Sequence, residues 1–252
     1  MIQLRDFSIG FDNRVLLTDV NVTFPDGQLT ALIGRNGSGK STMLRAIAGL
    51  NRNYSGTILI DGLSTKQMRP QALARSIAFV NTERTRIANL RCEDVVAIGR
   101  APYTNWIGHL QDIDRKIVDA SLRAVGMESY ARRTMDTMSD GECQRVMIAR
   151  ALAQDTPTII LDEPTSFLDL PNRYELVALL LRLAHEQGKC IVFSTHELDV
   201  ALQTCDTIAL VDSPHLRVLP TAEMRSSGDI ERLFGNDQIC FDAVTGTIKI
   251  SK

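Results

Sequence analysis

Glycines at positions 34, 37 and 39 precede Lys40, Ser41 and Thr42 in the run Gly34-Arg35-Asn36-Gly37-Ser38-Gly39-Lys40-Ser41-Thr42. The spacing G-x-x-x-x-G-K-[ST] turns successive backbone N–H groups toward one point and so makes a cradle for nucleotide phosphates. Lys40 then reaches the β- and γ-phosphates, and the Ser41 hydroxyl serves a Mg²⁺ ion. The plainer alternative is a glycine-rich strand-to-helix turn carrying an exposed lysine. A second candidate is the pair Asp162-Glu163, which ends the apolar run Thr158-Ile159-Ile160-Leu161. Two acids after a strand are often only a solvated turn. Joined to a phosphate cradle in one chain, Asp162 becomes the carboxylate on the Mg²⁺ side and Glu163 the group that orients or deprotonates an attacking water.

The flanking pattern predicts the elements that hold these groups. Leu29 to Ile33 is a short apolar run, and Thr42 to Leu50 carries helical spacing, so the glycines join a buried strand to a helix. Thr57 to Ile60, Ile77 to Val80, Thr158 to Leu161, Cys190 to Ser194 and Ile208 to Val211 read as strands, with helices such as Tyr174 to Glu186 between the later ones. That alternation predicts an α/β fold with a parallel sheet, whose ligands bind at the carboxyl edge. The first thirty residues alternate as two or three antiparallel strands, with turns at Asp12-Asn13 and Pro25-Asp26-Gly27. From about Cys92 to about Ala153 the periodicity is helical, which reads as an insert. Ile239 to Ile250 reads as a hairpin turning at Thr245-Gly246.

Composition narrows the function classes. The 252 residues carry 28 Lys+Arg against 30 Asp+Glu, a net charge of −2, so no bulk positive field grips nucleic acid. The longest apolar stretches, such as Leu176 to Leu181, fall far short of the ~20 residues of a membrane span. The first residues lack the basic-then-apolar pattern of a signal peptide, so the expected location is the cytoplasm. Five scattered cysteines without a Cys-x-x-Cys pair predict reduced thiols, with neither a zinc site nor a disulfide frame.

Between the two candidate sites lies Met138-Ser139-Asp140-Gly141-Glu142-Cys143-Gln144-Arg145, then Ile148-Ala149-Arg150-Ala151-Leu152. This stretch resembles the signature motif of ATP-binding-cassette (ABC) ATPases. Pro164-Thr165-Ser166-Phe167-Leu168-Asp169 is similar to that family's D-loop, and Ser194-Thr195-His196-Glu197 to its switch histidine. Phe11 matches the aromatic position on which adenine stacks, although tyrosine is commoner there. Taken singly, His196 reads as a packed or surface histidine and Phe11 as a core aromatic. The resemblance covers essentially the whole chain. It implies a P-loop NTPase cassette with a parallel-sheet core, an N-terminal antiparallel β-subdomain and an inserted helical subdomain. Residues 1–252 then form a single domain, with 1–85 and 154–252 as catalytic core and β-subdomain and 86–153 as the helical signature subdomain.

The resemblance also implies ATP and Mg²⁺ as cofactors and catalysis by Lys40, Glu163 and His196. Nucleotide contacts fall to Phe11, Gly34, Asn36, Gly37, Ser38, Gly39, Lys40, Ser41 and Thr42, and metal ligation to Ser41 and Asp162. Ser139-x-x-Glu142 is by itself a capping box that starts a helix. In the family both readings hold: Ser139, Gly141 and Glu142 begin a helix that faces the γ-phosphate of ATP bound to the opposite subunit. A second copy of the chain is therefore an expected partner, closing with the first around two ATPs.

Two positions depart from the family pattern. After the Ile77-to-Val80 strand the family has a glutamine that touches Mg²⁺ and relays nucleotide state to a membrane partner. Here Thr82 takes its place in the run Asn81-Thr82-Glu83, with Glu83 as a candidate oxygen ligand. Asp140 replaces the first glycine of the signature; its charge suits a helix N-terminus but not a γ-phosphate, so it is expected to point away from the nucleotide. The stretch Val95-Val96-Ala97-Ile98-Gly99-Arg100-Ala101-Pro102-Tyr103, with Trp106 and Asp112-Ile113-Asp114 after it, resembles cassettes that energise import of ferric siderophores, haem and cobalamin. Leu233-Phe234-Gly235 and Thr245-Gly246 resemble the same group. The plain reading of Gly99 to Tyr103 is a helix stop before proline. The resemblance implies separate integral-membrane permease subunits, an external substrate-binding protein acting through them, and a place on the inner face of the cell membrane. The alternatives are a soluble ABC ATPase without a permease and a nucleotide-binding regulatory subunit with little hydrolysis.

Overall fold

The structure, a computed structural model, describes residues 1–11, 14–82, 88–104 and 108–250. The alternating Ile2, Leu4, Phe7 and Ile9 bury one face of β1 (Ile2–Phe11), which pairs antiparallel with β2 (Arg14–Phe24). The expected turn at Asp12-Asn13 lies outside the described residues. β3 (Leu29–Gly34) runs into the glycine loop and α1 (Lys40–Ile47). β4 (Tyr54–Ile60) and β5 (Leu63–Ser64) complete a four-stranded antiparallel sheet in the order β2-β1-β4-β5. α2 (Pro70–Ser76) and β6 (Ile77–Val80) follow. Next come α3 (Cys92–Ala97), a tight 3-10 turn over Ile98–Tyr103, α4 (Asp112–Ala124) and α5 (Asp140–Ala153).

The chain then alternates through β7 (Thr158–Leu161), α6 (Leu170–Gln187), β8 (Cys190–Ser194), α7 (Leu198–Thr204) and β9 (Thr207–Asp212). β10 (His215–Pro220) turns back on β9, and α8 (Thr221–Ser226) and α9 (Asp229–Phe234) lead to the hairpin of β11 (Ile239–Asp242) and β12 (Thr247–Ile250). The second sheet has the order β10-β9-β3-β8-β7-β6 and is parallel except for β10. This is the α/β cassette fold that the sequence led us to expect.

Its parallel strands are buried on both faces, which is why they read as unbroken apolar runs rather than alternating ones. Leu29, Ala31 and Ile33 of β3 join the core beneath α5, α6 and α7. Leu32 points the other way, into a second core with Met43, Leu44 and Ile47 of α1 and with Ile2, Phe7, Leu17 and Phe24 of the antiparallel sheet. The sheet is thus clamped between two apolar layers, and its carboxyl edge is the rigid line on which the site is built.

The stretch Gly99 to Tyr103 is more than a helix stop. Gly99 packs so closely on α5 that a Cβ there would collide with the Arg150 carbonyl oxygen. Arg100 is buried; its Nε donates to Asp114 Oδ1 at 2.8 Å and a terminal nitrogen to the Ala153 carbonyl at 2.9 Å. Asp114 Oδ2 in turn accepts from the backbone N–H of Gln111 (2.9 Å), which caps α4. The Pro102 carbonyl accepts from Gln71 Nε2 and from two nitrogens of Arg75, tying this turn to α2. Trp106 lies outside the described residues.

Candidate active site

Because β3, β8 and β7 are adjacent and in register, with Leu32 opposite Ser194 and Phe193 opposite Leu161, their carboxyl ends deliver three loops to one place. The glycine loop follows β3, Asp162 and Glu163 follow β7, and Thr195 and His196 follow β8. They meet at a cavity of about 500 Å³ lined by Phe11, Arg14, Leu16, Asn36, Gly37, Gly39, Lys40, Ser41, Thr42, Glu163 and His196. Most of the residues singled out in the sequence are therefore brought together. Gly34 ends β3 beneath the loop, and Ser38 is buried within it, its N–H donating to the Arg35 carbonyl.

The loop's geometry depends on Gly39, which caps α1 in the left-handed region at φ 105°. A Cβ there would be strained and would sit 3.1 Å from the Leu16 Cβ. Lys40 is buried, and its ammonium donates to the carbonyls of Gly34 (2.8 Å) and Arg35 (3.2 Å). Burial pulls the Lys40 pKa down, while the nearby Glu163 and Asp162 pull it partway back. Such a cation is poorly hydrated and is held next to the site's acids, so it is well prepared to meet phosphate oxygens.

Asp162 Oδ1 accepts from Ser41 Oγ (2.9 Å) and from Ser194 Oγ (2.7 Å). A buried carboxylate oxygen and a hydroxyl in contact form a hard oxygen donor pair, which fits Mg²⁺ bound through one or two protein ligands plus phosphates. Glu163 adopts φ 48°, the left-handed region, at a cost of about 1–2 kcal/mol for a residue with a Cβ. Its N–H donates to Ser194 Oγ (2.9 Å), its carbonyl accepts from Ser166 Oγ (2.9 Å), and its Oε1 is in direct contact with His196 Nε2. The strained turn carries the Glu163 carboxylate into the cavity beside the loop.

Ser194 was not singled out as a site residue from the sequence, yet it bridges both acids. Its sequence signals are a polar residue closing an apolar strand and a place two residues before His196. Ser194→Ala is expected to leave the Glu163 N–H without its partner and to cost about 1–3 kcal/mol in denaturant unfolding, with a matching fall in ATP turnover. Arg14 is a second addition: it lines the cavity and donates to the Gly37 carbonyl at 3.0 Å. Thr82 does not stand idle either, since its Oγ1 donates to the Asp162 carbonyl at 3.0 Å. Glu83 lies outside the described residues.

Ser139, Gly141 and Glu142 are not among the residues lining this cavity. They cap α5: the Glu142 N–H donates to Ser139 Oγ (3.2 Å) and the Ser139 N–H to Glu142 Oε2 (2.8 Å). The Ser139 N–H, and more weakly its hydroxyl and the Arg133 charge, hold the Glu142 carboxyl below the usual range. Asp140 is the first residue of α5, where a negative charge suits the helix dipole. Ser139→Ala is expected to cost about 1 kcal/mol, read as a lower midpoint in urea unfolding.

A sequence profile described as ABC transporter matches residues 17–166. This chain belongs to the ABC transporter family. The iron(3+)-hydroxamate import ATP-binding protein of Bacillus subtilis is 37% identical over 200 residues, which are 79% of this chain and 74% of that protein. A transporter assigned to the metal-chelate type, solved in an inward-facing conformation, is similar with a TM-score of 0.81 and 25% identity, covering 98% of this chain and 94% of its own. A dimeric ATP-binding cassette bound to ADP and Pi in a post-hydrolysis state gives a TM-score of 0.77 and 28% identity over 88% of this chain and 99% of its own. As an ABC cassette the chain binds ATP and is an ATPase. No helix among its described residues is long and apolar enough to cross a membrane.

Proposed function

We propose that this chain is the ATP-hydrolysing subunit of an importer that takes up a metal chelate (a ferric siderophore, haem or cobalamin) through a separate membrane permease. The observation that carries the catalytic half is the single cavity in which Lys40, Ser41, Glu163 and His196 converge. The likeness to an iron(3+)-hydroxamate import subunit supports the cargo class. In this reading Phe11 packs on the adenine, and Asn36, Gly37, Gly39 and Thr42 line the path of the phosphates, with Gly34 and Ser38 shaping the loop. Ser41 and Asp162 would hold a Mg²⁺ ion, whose charge would offset that of the transferring phosphoryl group. Glu163 orients the attacking water and accepts its proton, and His196, in contact with Glu163 Oε1, fixes that carboxylate. Lys40 stabilises the negative charge that gathers on the equatorial oxygens.

Ser139, Gly141 and Glu142 stand outside the cavity, which supports a dimer in which each copy's α5 N-terminus completes the other's site. Residues 1–85 and 154–252 act as the catalytic core with its β-subdomain, and 86–153 as the helical signature subdomain, all in one domain. A second cavity of about 670 Å³, lined by Leu73, Ile77, Phe79 and Met147 together with Arg45, Arg52 and Arg150, supports contact with a permease segment. The chain then works in the cytoplasm on the inner face of the membrane, and an external binding protein supplies the permease. ATP drives the permease only by binding the closed dimer more tightly than the open one.

The test is affinity purification of the tagged chain from gently solubilised membranes of its source cell, with mass spectrometry of what accompanies it. A many-helix permease whose complex shows ATPase stimulated by ferric hydroxamate, haem or cobalamin is the expected result. Recovery of soluble partners alone overturns the importer reading and leaves the ATPase intact.

A further inference from the structure

Arg35, the second residue of the phosphate loop, does not line the nucleotide cavity. Its side chain reaches across the fold instead: Nε and a terminal nitrogen both donate to the Leu233 carbonyl, at 2.9 and 2.5 Å. That carbonyl lies in the last turn of α9, where helix carbonyls lack partners within the helix and favour a cation. At its other end the same residue is part of the cradle, since the Arg35 carbonyl accepts from Lys40 Nζ (3.2 Å) and from the Ser38 N–H (3.2 Å). One residue therefore joins the loop that carries Lys40 to a helix almost two hundred positions away.

α9 is itself firmly anchored. Asp229, 3% exposed, pairs with Arg217 of β10 (2.5 Å) and with Arg232 (3.3 Å), and Arg232 also reaches Asp212 of β9 (3.2 Å). Glu231 accepts from the Phe241 N–H of the closing hairpin.

We propose that Arg35 is a positioning residue that couples the C-terminal α9 segment to the phosphate loop, so that the hold of this segment sets part of the chain's affinity for ATP. The inference rests on the nucleotide site proposed above. Its consequence is that ATP binding and the packing of α9 stabilise one another, because linkage between two sites is reciprocal.

Calorimetric titration of the full chain with the hydrolysis-resistant analogue AMP-PNP and Mg²⁺ tests this. Arg35→Ala is expected to raise Kd about tenfold, with any fall in kcat at saturating ATP smaller than the rise in Kd. Arg35→Lys keeps the charge but not the paired N–H contact, and recovers only part of the loss. Asp229→Asn loosens α9 and is expected to raise Kd about threefold, and the double variant to bind no more weakly than Arg35→Ala alone. Glu231→Gln, at an exposed position, takes its place in the cycle if Asp229→Asn does not fold. Kd effects that simply multiply, an unchanged Kd in Arg35→Ala, or a fall in kcat instead of a rise in Kd overturns the coupling. Failure of the unmodified chain to bind AMP-PNP overturns the nucleotide site itself, a separate outcome.

Discussion

Glu163→Gln is expected to bind ATP within about threefold of the unmodified chain and to hydrolyse it about 10²- to 10⁴-fold more slowly, the range ascribed to a positioned general base. The amide keeps the side chain's shape and one oxygen but cannot take the proton of the attacking water. Binding survives because Lys40, the loop backbone and Ser41 are untouched, and because the left-handed turn at residue 163 keeps its backbone contacts with Ser194 and Ser166, while the amide retains an oxygen for the Ser166 hydroxyl that meets the carboxylate at 3.3 Å. The measurement is phosphate release at saturating ATP beside a nucleotide titration. An undiminished rate removes Glu163 from the reaction, and a parallel loss of binding assigns it to the nucleotide instead. His196→Ala provides the companion reading: with its contact to Glu163 gone, turnover falls and binding remains.

The largest expected effect on stability is at Arg100→Ala. The pair Arg100 and Asp114 is buried, with side chains 7% and 6% exposed, and removing one partner leaves an uncompensated charge, worth about 3–5 kcal/mol. The Ala153 carbonyl loses its donor in the same step. For a chain of this length that is a fall in Tm of order 10 °C, readable by calorimetry. Replacing both residues by apolar side chains, as in Arg100→Met with Asp114→Leu, removes the unpaired charge and is expected to recover part of the loss, the remainder reflecting the Gln111 N–H and the Ala153 carbonyl left without these partners. The pH dependence has a definite sign. The Gln111 N–H, and after it Arg100, hold the Asp114 carboxyl below its usual range. Its contribution is therefore present above the unfolded carboxyl pKa and is lost as pH falls through the lowered folded value. The variant loses one of the two causes, so the acid-dependent part of its stability shrinks.

How much of this was legible in the sequence depended on whether the signal was local. β6, β7 and β8 span the residues their apolar runs marked, because burial on both faces leaves no ambiguity about where a polar residue must end the strand. α1 begins at Lys40, two residues before its helical spacing, because the phosphate loop itself supplies the first turn and Gly39 caps it without a side chain. Short elements such as β5, α2, α8 and α9 carry too few residues to show a period. β10 went unread because a half-exposed strand at the sheet margin, His215 to Pro220, has neither a long apolar run nor clean alternation. The phosphate loop, Asp162 and Glu163 were visible because their chemistry is written in consecutive residues. Ser194, Arg14 and Arg35 were not, since each acts through a partner brought near only by the fold: Asp162, Gly37 and Leu233.

β6 forms one margin of the six-stranded sheet. A parallel sheet ends there in an edge strand of four residues, the kind of open ladder to which a foreign strand can add. Gln154 at the end of α5 donates to the carbonyls of Ala74 and Ile77, the latter at 2.8 Å, so the first acceptor of that edge is already used. With this edge short and partly occupied, a second copy has little to gain by adding a strand at β6. Any contact made across this margin is left to side-chain surfaces, which can separate without breaking a β-ladder.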